Sequence, residues 1–224
     1  MSLAGEDVRA FERCIAGGGV AVFPADTIYG LACDPTSTAA VRRLYALKGR
    51  PPAKPAAVMF FTLEDAHGAL PELGERTRAA VRALLPGGLT LLLANPAHRF
   101  PLACGPDPDT LGLRVPDVDV LRAVSLPVLQ SSANLSGGPD ARTLADVDPQ
   151  IRAAADLVLD GGALVGTPST VLDLRAYEDD CCWTVLRDGA VSREAIAGAL
   201  ADAGRVSSPA AGDGRRTPLR EPTD

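Results

Sequence analysis

The stretch that decides the fold is residues 22–31, VFPADTIYGL, in which an apolar run stops at Pro24. The run begins slightly earlier, as VAVF (20–23), and suits a short buried strand because it is apolar throughout. Asp26 and Thr27 follow immediately and place two polar side chains at the end of that strand. The sequence alone leaves two interpretations open: an ordinary strand, turn and helix, or one wall of a site that binds an anionic ligand.

Apolar periodicity divides the rest of the chain into alternating helices and strands. It predicts helices at residues 6–16, 38–47, 75–85, 117–124 and 149–155, a last helix capped by Ser192, and strands at 56–61, 89–94, 111–115, 127–130, 157–159, 169–174 and 183–187, with a loop at 95–110. Without a clear linker or repeat, this order predicts one α/β domain with a mixed sheet over residues 1–203. Residues 204–224 are rich in Gly, Pro, Ser and charge, so we expect a disordered C-terminal tail.

The composition excludes several classes of protein. None of the apolar runs approaches the roughly 20 residues that cross a bilayer, and the N-terminus lacks the apolar segment of a secretory signal. We therefore expect a cytoplasmic protein without membrane contact. Five cysteines at irregular spacing and two histidines indicate reduced thiols and no histidine-based metal site. A net charge of −6 disfavours binding of nucleic acid by the surface as a whole.

Three cations follow the predicted helix 38–47 in the segment KGRPPAK. Lys48, Arg50 and Lys54 at a helix C-terminus are typical of solvated side chains that complement the helix dipole. The prolines between them stiffen the segment, however, and a stiff loop loses less entropy when its cations converge on a phosphate. Both interpretations stay open at this point.

The segment QSSANLSGG (130–138) supplies hydroxyls, amides and exposed backbone N–H groups directly after a strand. Such a loop can hold an anion or a base without net charge, and in open α/β sheets ligands bind beyond the carboxyl ends of strands. The alternative is an ordinary turn, since turns use the same residues. The common ATP-binding signatures, such as a Walker loop or G-x-G-x-x-G, are absent.

Further polar residues lie on or beside the predicted strands. Arg114 lies opposite the apolar face of strand 111–115, where solvent is the commoner position for an arginine and a cleft is the alternative. Thr110, Gln130 and Ser169 lie near strand ends, where turn or edge roles fit them equally well. Arg187 ends the last strand before Asp-Gly, and hairpin-turn chemistry explains that position without a ligand.

The order of these motifs is more informative than any one of them. FPADTIYGL, KGRPPAKPAAVMF, LPGGLTLLL, DTLGLRVP, SSANLSGG, STVLDL and VLRDG follow one another along the chain. This string resembles the YrdC-like family, the L-threonylcarbamoyladenylate synthases, from about residue 8 to residue 200. The resemblance implies a twisted mixed sheet with helices around a concave, positively lined cavity.

The resemblance also implies an activity. L-threonine, bicarbonate or CO2, and ATP would be converted to threonylcarbamoyl-AMP and pyrophosphate, for the threonylcarbamoyl-adenosine modification of tRNA. Mg2+ would be bound mainly through the phosphates, with no metal site made by protein alone. Asp26 would either help to orient the ion or serve in N-capping or turn bonding. Downstream partner proteins would transfer the threonylcarbamoyl group, so contact of this chain with tRNA is expected to be weak or indirect.

Site residues carry over from the resemblance position by position. The implied ATP-binding residues, of which the first two are also the expected catalytic pair, are Lys48, Arg50, Lys54, Thr110, Ser132, Asn134 and Arg187. The implied L-threonine-binding residues are Thr27, Arg114, Gln130 and Ser169.

Two positions depart from the family pattern. Ala25 stands where the family usually has threonine, and Asp188 stands where LRPG would have proline. These departures leave room for a paralogue with an altered substrate. The alternatives are a non-catalytic module that binds double-stranded RNA or the ribosome, and a carbamoyl transferase that uses carbamoyl phosphate.

Overall fold

The computed structural model describes residues 3–206. Their helices are α1 (Gly5–Ala16), α2 (Thr38–Lys48), α3 (Leu63–Ala69), α4 (Glu75–Leu84), α5 (Pro101–Cys104), α6 (Pro149–Ala154), α7 (Tyr177–Asp180) and α8 (Arg193–Val206). The strands are β1 (Ala21–Pro24), β2 (Tyr29–Cys33), β3 (Ala57–Met59), β4 (Leu89–Ala94), β5 (Thr110–Arg114), β6 (Val128–Ser132), β7 (Leu157–Val158), β8 (Thr170–Asp173) and β9 (Thr184–Arg187). Short 3-10 turns lie at Asp119–Ala123 and Leu144–Asp146.

These strands form a single mixed sheet in the order β7-β1-β2-β6-β3-β5-β4-β8-β9. Three pairs are parallel (β1/β7, β3/β5 and β4/β8), and the remaining neighbours are antiparallel. The predicted α/β class with a mixed sheet is therefore confirmed. In the described part of the chain, none of the helices combines the length and the apolar character needed to cross a membrane.

Local sequence signals set several helix ends. Ser37 caps α2 by accepting a hydrogen bond from the backbone N–H of Ala40 at 3.3 Å, and Thr62 caps α3 through the N–H of Asp65 at 3.1 Å. At the other end of α2, Gly49 has φ of 57°, in the left-handed region that glycine adopts without strain. The chain consequently turns sharply between Lys48 and Arg50.

The helices leave one half of one sheet face open. On that face α1 and the 3-10 turn at 119–123 cover β1, β2 and part of β6, in an apolar cluster that includes Phe11 and Phe23. Directly opposed residues on neighbouring strands lie on the same face of a sheet. The same face therefore continues from β2 to β4 through the paired residues Ala32, Gln130, Ala57, Gly112 and Leu92. Over β3, β5 and β4 this face borders a cavity instead of a helix. The larger apolar core lies on the opposite face of the sheet.

The main correction concerns residues 29–33, which form β2 and were not predicted as a strand. All five residues are buried, so the sequence YGLAC shows no alternation of polar and apolar side chains. Gly30 further weakens the strand signal, and a Cβ there would lie 2.9 Å from the Gln130 amide nitrogen and 3.0 Å from the Phe23 ring, so a larger residue would displace these side chains. The stretch 22–31 is therefore an antiparallel strand pair joined by the turn 25–28.

Other boundaries differ by smaller amounts. The predicted strand 56–61 is hydrogen-bonded only over β3, the loop 95–110 contains the single turn α5, and the helix predicted at 117–124 is a 3-10 turn. The last helix continues to Val206, so residues 204–206 belong to α8 and not to the tail. The rest of the predicted tail, residues 207–224, lies outside the described residues.

Candidate functional site

The open half of the sheet forms the floor of a cavity of about 440 Å³. This volume lies within the range of about 300–1,000 Å³ that is typical of small-molecule sites. Alternate residues of six strands supply most of the floor, because side chains along a strand point to opposite faces in turn. These strand residues are Ala57, Thr90, Leu92, Thr110, Gly112, Arg114, Gln130, Ser132, Val171 and Arg187.

Four arginines give the cavity its positive character: Arg50, Arg114, Arg175 and Arg187. Arg114 is paired with Asp26, and Arg175 with Asp173 at 2.6 Å. Among residues 3–206, Arg50 and Arg187 have no carboxylate oxygen within 4.0 Å. The uncompensated positive charge of the cavity therefore lies on these two side chains, which suits an anionic ligand.

Arg114 and Asp26 form a buried ion pair at the threonine half of the predicted site. Arg114 Nη2 lies 2.6 Å from Asp26 Oδ1, and the two side chains are only 4% and 7% exposed. Burial lowers the pKa of Arg114, and the Asp26 carboxylate opposes that shift. Of the two positions that the sequence left open for Arg114, the cleft is the observed one, because the polar face of β5 forms the cavity floor and not the protein surface.

Two further threonine-site candidates lie against Arg114. Gln130 lines the cavity and its Oε1 lies 3.5 Å from Arg114 Nη1. Thr27 is buried, and its hydroxyl oxygen lies 3.5 Å from Arg114 Nη2. Ser169 lines the cavity at the start of β8, where its hydroxyl is 2.8 Å from that of Thr90. The structure thus brings Gln130 and Thr27 together around one guanidinium, with Ser169 on the same cavity wall.

Arg50 lies where the turn after α2 meets the cavity. Its guanidinium donates to the carbonyl oxygen of Pro55 and lies 5.6 Å from the centre of the Tyr45 ring. Arg50 Nη1 also donates a hydrogen bond to the Ser131 hydroxyl at 3.4 Å. Lys54 differs from this arrangement, because its side chain is exposed and does not line the cavity. Its backbone carbonyl instead accepts a hydrogen bond from the Tyr45 hydroxyl.

Lys48 lies beneath the cavity floor and not in its lining. Its ammonium donates to the carbonyl of Ser132, to the carbonyl of Asn134 at 2.7 Å and to Asn134 Oδ1 at 2.9 Å. Asn134 Oδ1 also accepts a hydrogen bond from the Ser132 hydroxyl at 2.6 Å. Ser132 lines the cavity whereas Asn134 does not, so Lys48 and Asn134 hold the loop that presents Ser132.

The pH dependence of stability provides a test of this Lys48 environment. Burial lowers the pKa of Lys48 to about 8, and the neighbouring Arg50 adds to the shift. The unfolded chain therefore retains this proton between about pH 8 and pH 10.5 where the folded chain has lost it, so stability rises with pH across that interval. Relative to Lys48→Met, we expect the wild-type free energy of unfolding to gain about 3 kcal/mol between these limits. Urea titrations at several pH values measure the difference, and a flat or falling difference contradicts the assignment.

Two nucleotide-site candidates lie at the cavity rim. Arg187 Nη2 donates to the carbonyl oxygen of Ser169 at 2.6 Å and lies 3.3 Å from its hydroxyl. Thr110 begins β5, and its hydroxyl accepts a hydrogen bond from Arg175 Nη1 at 3.2 Å. Arg187 therefore joins the end of β9 to the start of β8, beside the threonine-site candidate Ser169.

Gly189 allows the backbone after β9 to lie against the backbone at the start of β8. A Cβ at Gly189 would lie 2.6 Å from the carbonyl carbon of Ser169 and from the N of Thr170, closer than real contacts allow. We expect Gly189→Ala to displace this backbone and to lower the free energy of unfolding by about 1–3 kcal/mol, as overpacking does. Gly198→Ala is the matched control, because that glycine lies within α8 with nothing near its Cβ position, and alanine there should stabilise by about 0.5–1 kcal/mol. Equal stability of the two variants by urea denaturation would show that the close approach is not required.

Sequence reasoning missed several lining residues. Arg175 follows β8 and pairs with Asp173 at 2.6 Å and with Asp107 at 3.8 Å, bridging two loops across the cavity mouth. Asp107 and Asp140 are the carboxylates of the lining. Thr90 was detectable, since it alternates with buried leucines along β4. The positions of Arg175, Asp107 and Asp140 carry no local signal, because each lies in a loop without periodicity.

The two departures from the family pattern lie outside the lining. Ala25 is fully buried and packs in the apolar cluster beneath α1, so a hydroxyl is missing from the core and not from the cavity. Asp188 is exposed, and within the described part of the chain it makes no ion pair with Arg187 at 4.0 Å or less. Neither residue neutralises a cation of the cavity.

Comparison with known proteins agrees with this geometry. The family model Sua5_yciO_yrdC, described as telomere recombination, matches residues 13–189. The chain belongs to the Sua5/YciO/YrdC family. A threonylcarbamoyl-AMP synthase of Xanthomonas campestris pv. campestris (strain B100) is 35% identical over 190 residues, which cover 81% of this chain and 97% of that protein.

Other members of the Sua5/YciO/YrdC family are longer than the matched region. A threonylcarbamoyl-AMP synthase of Bacillus subtilis is 32% identical over 79% of this chain, and the match spans only 51% of that protein. The crystal structure of Pyrococcus abyssi Sua5 complexed with L-threonine superimposes with a TM-score of 0.78 and 27% identity, covering 89% of this chain and 58% of that one. Relatives with these names support an enzyme of this kind.

Proposed function

We propose that this chain synthesises threonylcarbamoyl-AMP from L-threonine, bicarbonate or CO2, and ATP, with release of pyrophosphate. The observation that carries the proposal is that one cavity is lined by arginine side chains of two kinds, some paired with a carboxylate and others not. Arg114 is buried and paired, as suits a site for a small zwitterion. Arg50 and Arg187 line the same cavity without a carboxylate partner in the described part of the chain, as suits a polyphosphate. Relatives named threonylcarbamoyl-AMP synthase support the proposed product, and a Sua5 complexed with L-threonine supports threonine as a substrate.

In the proposed reaction the main role of the protein is to position charged groups. The threonine amine attacks CO2 to give a carbamate, and a carbamate oxygen then attacks the α-phosphate of ATP with pyrophosphate as the leaving group. Two anions must therefore meet, and cations with hydroxyl donors lower the repulsion between them. In this assignment Arg50 and Arg187 neutralise the phosphates, Thr110 and Ser132 provide hydroxyls to the nucleotide, and Arg114 orients the threonine carboxylate.

Lys48 and Asn134 act through Ser132 in this proposal, since neither lines the cavity. Lys54 is the weakest member of the ATP set, because its exposed side chain would have to turn inward to reach a phosphate.

Mg2+ is part of the proposal as a companion of ATP. The described residues contain no cluster of three or more metal-ligating side chains, and the carboxylates that line the cavity are Asp107 and Asp140. This set fits an ion held largely by phosphate oxygens and water, since Mg2+ keeps several waters in such sites. When bound, the ion would supply additional neutralisation of the phosphates.

Pyrophosphate release with substrates omitted in turn tests the proposed function. Pyrophosphate should form only when L-threonine, bicarbonate, ATP and Mg2+ are all present. Release that does not depend on threonine would contradict the proposal. Turnover of carbamoyl phosphate in place of threonine and bicarbonate would instead support the carbamoyl transferase. Salt-sensitive binding of double-stranded RNA without turnover would support the RNA-binding module.

The proposed product is a mixed anhydride that another protein must consume. We propose that downstream transfer proteins pass the threonylcarbamoyl group to tRNA, with only weak or indirect tRNA contact by this chain, in line with the net charge of −6. A cytoplasmic location stays a prediction.

A further inference from the structure

The side chain of Arg175 is held in one orientation at the cavity mouth. Its Nε donates to Asp173 Oδ1 at 2.9 Å, and its Nη2 donates to Asp173 Oδ2 at 2.6 Å. Asp173 ends β8, and its Oδ1 also accepts the backbone N–H of Arg175 at 3.0 Å. Two parallel hydrogen bonds between an arginine and a carboxylate fix the geometry of the guanidinium. Arg175 is therefore a fixed part of the cavity wall, although 46% of its side chain is exposed.

The guanidinium nitrogen that Asp173 leaves free contacts Thr110. Arg175 Nη1 donates a hydrogen bond to the Thr110 hydroxyl at 3.2 Å. Asp107 Oδ2 lies 3.8 Å from the same nitrogen, which is beyond hydrogen-bond distance, so Asp107 does not replace Thr110 as the acceptor. Both Arg175 and Thr110 line the cavity. The end of β8 is thus joined to the start of β5 through one guanidinium.

This hydrogen bond determines what the Thr110 hydroxyl offers to a ligand. A hydroxyl is ordinarily both a donor and an acceptor, and its proton rotates to suit its surroundings. Since a cationic donor occupies one lone pair, the proton points away from Arg175, and residues 3–206 provide no acceptor for it. The charge of Arg175 also polarises the O–H bond, which strengthens its donation. Thr110 therefore presents an oriented hydrogen-bond donor to the cavity.

We propose that Arg175 is a positioning residue that holds the Thr110 hydroxyl as a donor to the bound nucleotide. The inference rests on the proposed function and adds to it a residue that acts through Thr110. Most polar atoms of ATP, its phosphate oxygens and ring nitrogens among them, accept hydrogen bonds, so an oriented donor suits this ligand. Because the donor is oriented before ATP arrives, less entropy is lost on binding.

A double-mutant cycle on ATP binding tests whether Arg175 acts through Thr110. Isothermal titration with Mg-ATP, without threonine, compares the wild type, Arg175→Met, Thr110→Val and the double variant. Thr110→Val keeps the shape of the side chain and removes its hydroxyl. We expect each single substitution to weaken ATP binding about three- to tenfold, the equivalent of one hydrogen bond. The double variant should bind no more than about twofold more weakly than Thr110→Val.

The possible outcomes separate this inference from the proposed function. Losses that multiply in the double variant would show that Arg175 acts independently of Thr110, through its charge alone, and would overturn the inference. Wild-type affinity in either single variant would overturn it as well. In these cases the wild type still binds ATP, so the proposed function stands. A wild-type protein that does not bind Mg-ATP would overturn the proposed function together with the inference.

Arg175→Lys separates charge from donor geometry, and it replaces Arg175→Met if that variant does not fold. Lysine keeps the charge but lacks the planar fork that reaches Asp173 and Thr110 together, so ATP binding should weaken at least about threefold. In the Thr110→Val background the same change should cost no more than about twofold. Wild-type affinity in Arg175→Lys would contradict the positioning role. Arg122→Met, at an exposed arginine paired with Asp117, is the matched control and should bind ATP as the wild type does.

Discussion

Replacing Arg114 by methionine is expected to lower the free energy of unfolding by about 3–5 kcal/mol, the cost of leaving a buried charge without its partner. The residue left behind is Asp26, whose side chain is 7% exposed and which forms no other ion pair within residues 3–206. Threonine-dependent pyrophosphate release should also be lost, because the carboxylate-binding group is absent. Urea denaturation measures the stability, and the pyrophosphate assay measures the activity.

A double substitution separates the charge from the packing. Replacing Asp26 by leucine in addition to Arg114→Met removes both charges and leaves apolar side chains of similar volume. Such exchanges are often neutral or stabilising, so the double variant should recover at least half of the lost stability while remaining inactive. A double variant as unstable as Arg114→Met, or a single variant that loses less than about 1 kcal/mol, would show that the pair is not the buried contact described above.

The second large effect is expected at Arg50. Arg50→Ala removes a cavity arginine that has no carboxylate partner among the described residues, and loss of one such preorganised group typically costs about 100-fold or more in rate. The loss should appear in kcat/KM for ATP. Arg50→Lys should retain part of the activity, because lysine keeps the charge but not the planar, bidentate donor geometry.

Stability provides the control for Arg50. Its guanidinium contacts carbonyl oxygens and one aromatic ring and belongs to no ion pair within residues 3–206, so Arg50→Ala should change the free energy of unfolding by less than about 1 kcal/mol. Arg122→Ala, at an exposed arginine paired with Asp117 and Asp119, should leave both stability and activity unchanged. Normal kcat/KM for ATP in Arg50→Ala would remove Arg50 from the phosphate site.

The parts of the fold that local chemistry controls were predictable from the sequence. Ser37 and Thr62 are hydroxyl residues of the type that caps helices, and they begin α2 and α3; the apolar run 89–94 is β4. Strand β2 was not predictable, because a strand buried on both faces and interrupted by Gly30 has neither alternation nor a strong propensity. Its existence depends on pairing with β1 across the turn 25–28 and with β6, which lies about a hundred residues further along the chain.

In the candidate site, too, the features that depend on local sequence were predictable and those that depend on tertiary contacts were not. Alternation along β5 correctly separated Arg114 from Leu111 and Leu113, but alternation cannot tell whether the polar face borders solvent or a cavity. That outcome depends on α1 covering only half of the sheet face. The ordered motifs correctly named residues of the cavity such as Arg50 and Gln130, whereas Arg175 lies in a loop and is brought to the cavity mouth only by the tertiary structure. The ligand roles of all these residues stay predictions.

One measurement tests the central claim most directly. The purified protein is incubated with L-threonine, 13C-labelled bicarbonate, ATP and Mg2+, and the nucleotide products are analysed by mass spectrometry. We expect an AMP conjugate that contains both threonine and the 13C label, formed together with pyrophosphate, absent with Arg114→Met and formed about 100-fold or more slowly with Arg50→Ala. Detection of threonyl-AMP without the label, or of no threonine-containing nucleotide from folded wild-type protein, would contradict this claim.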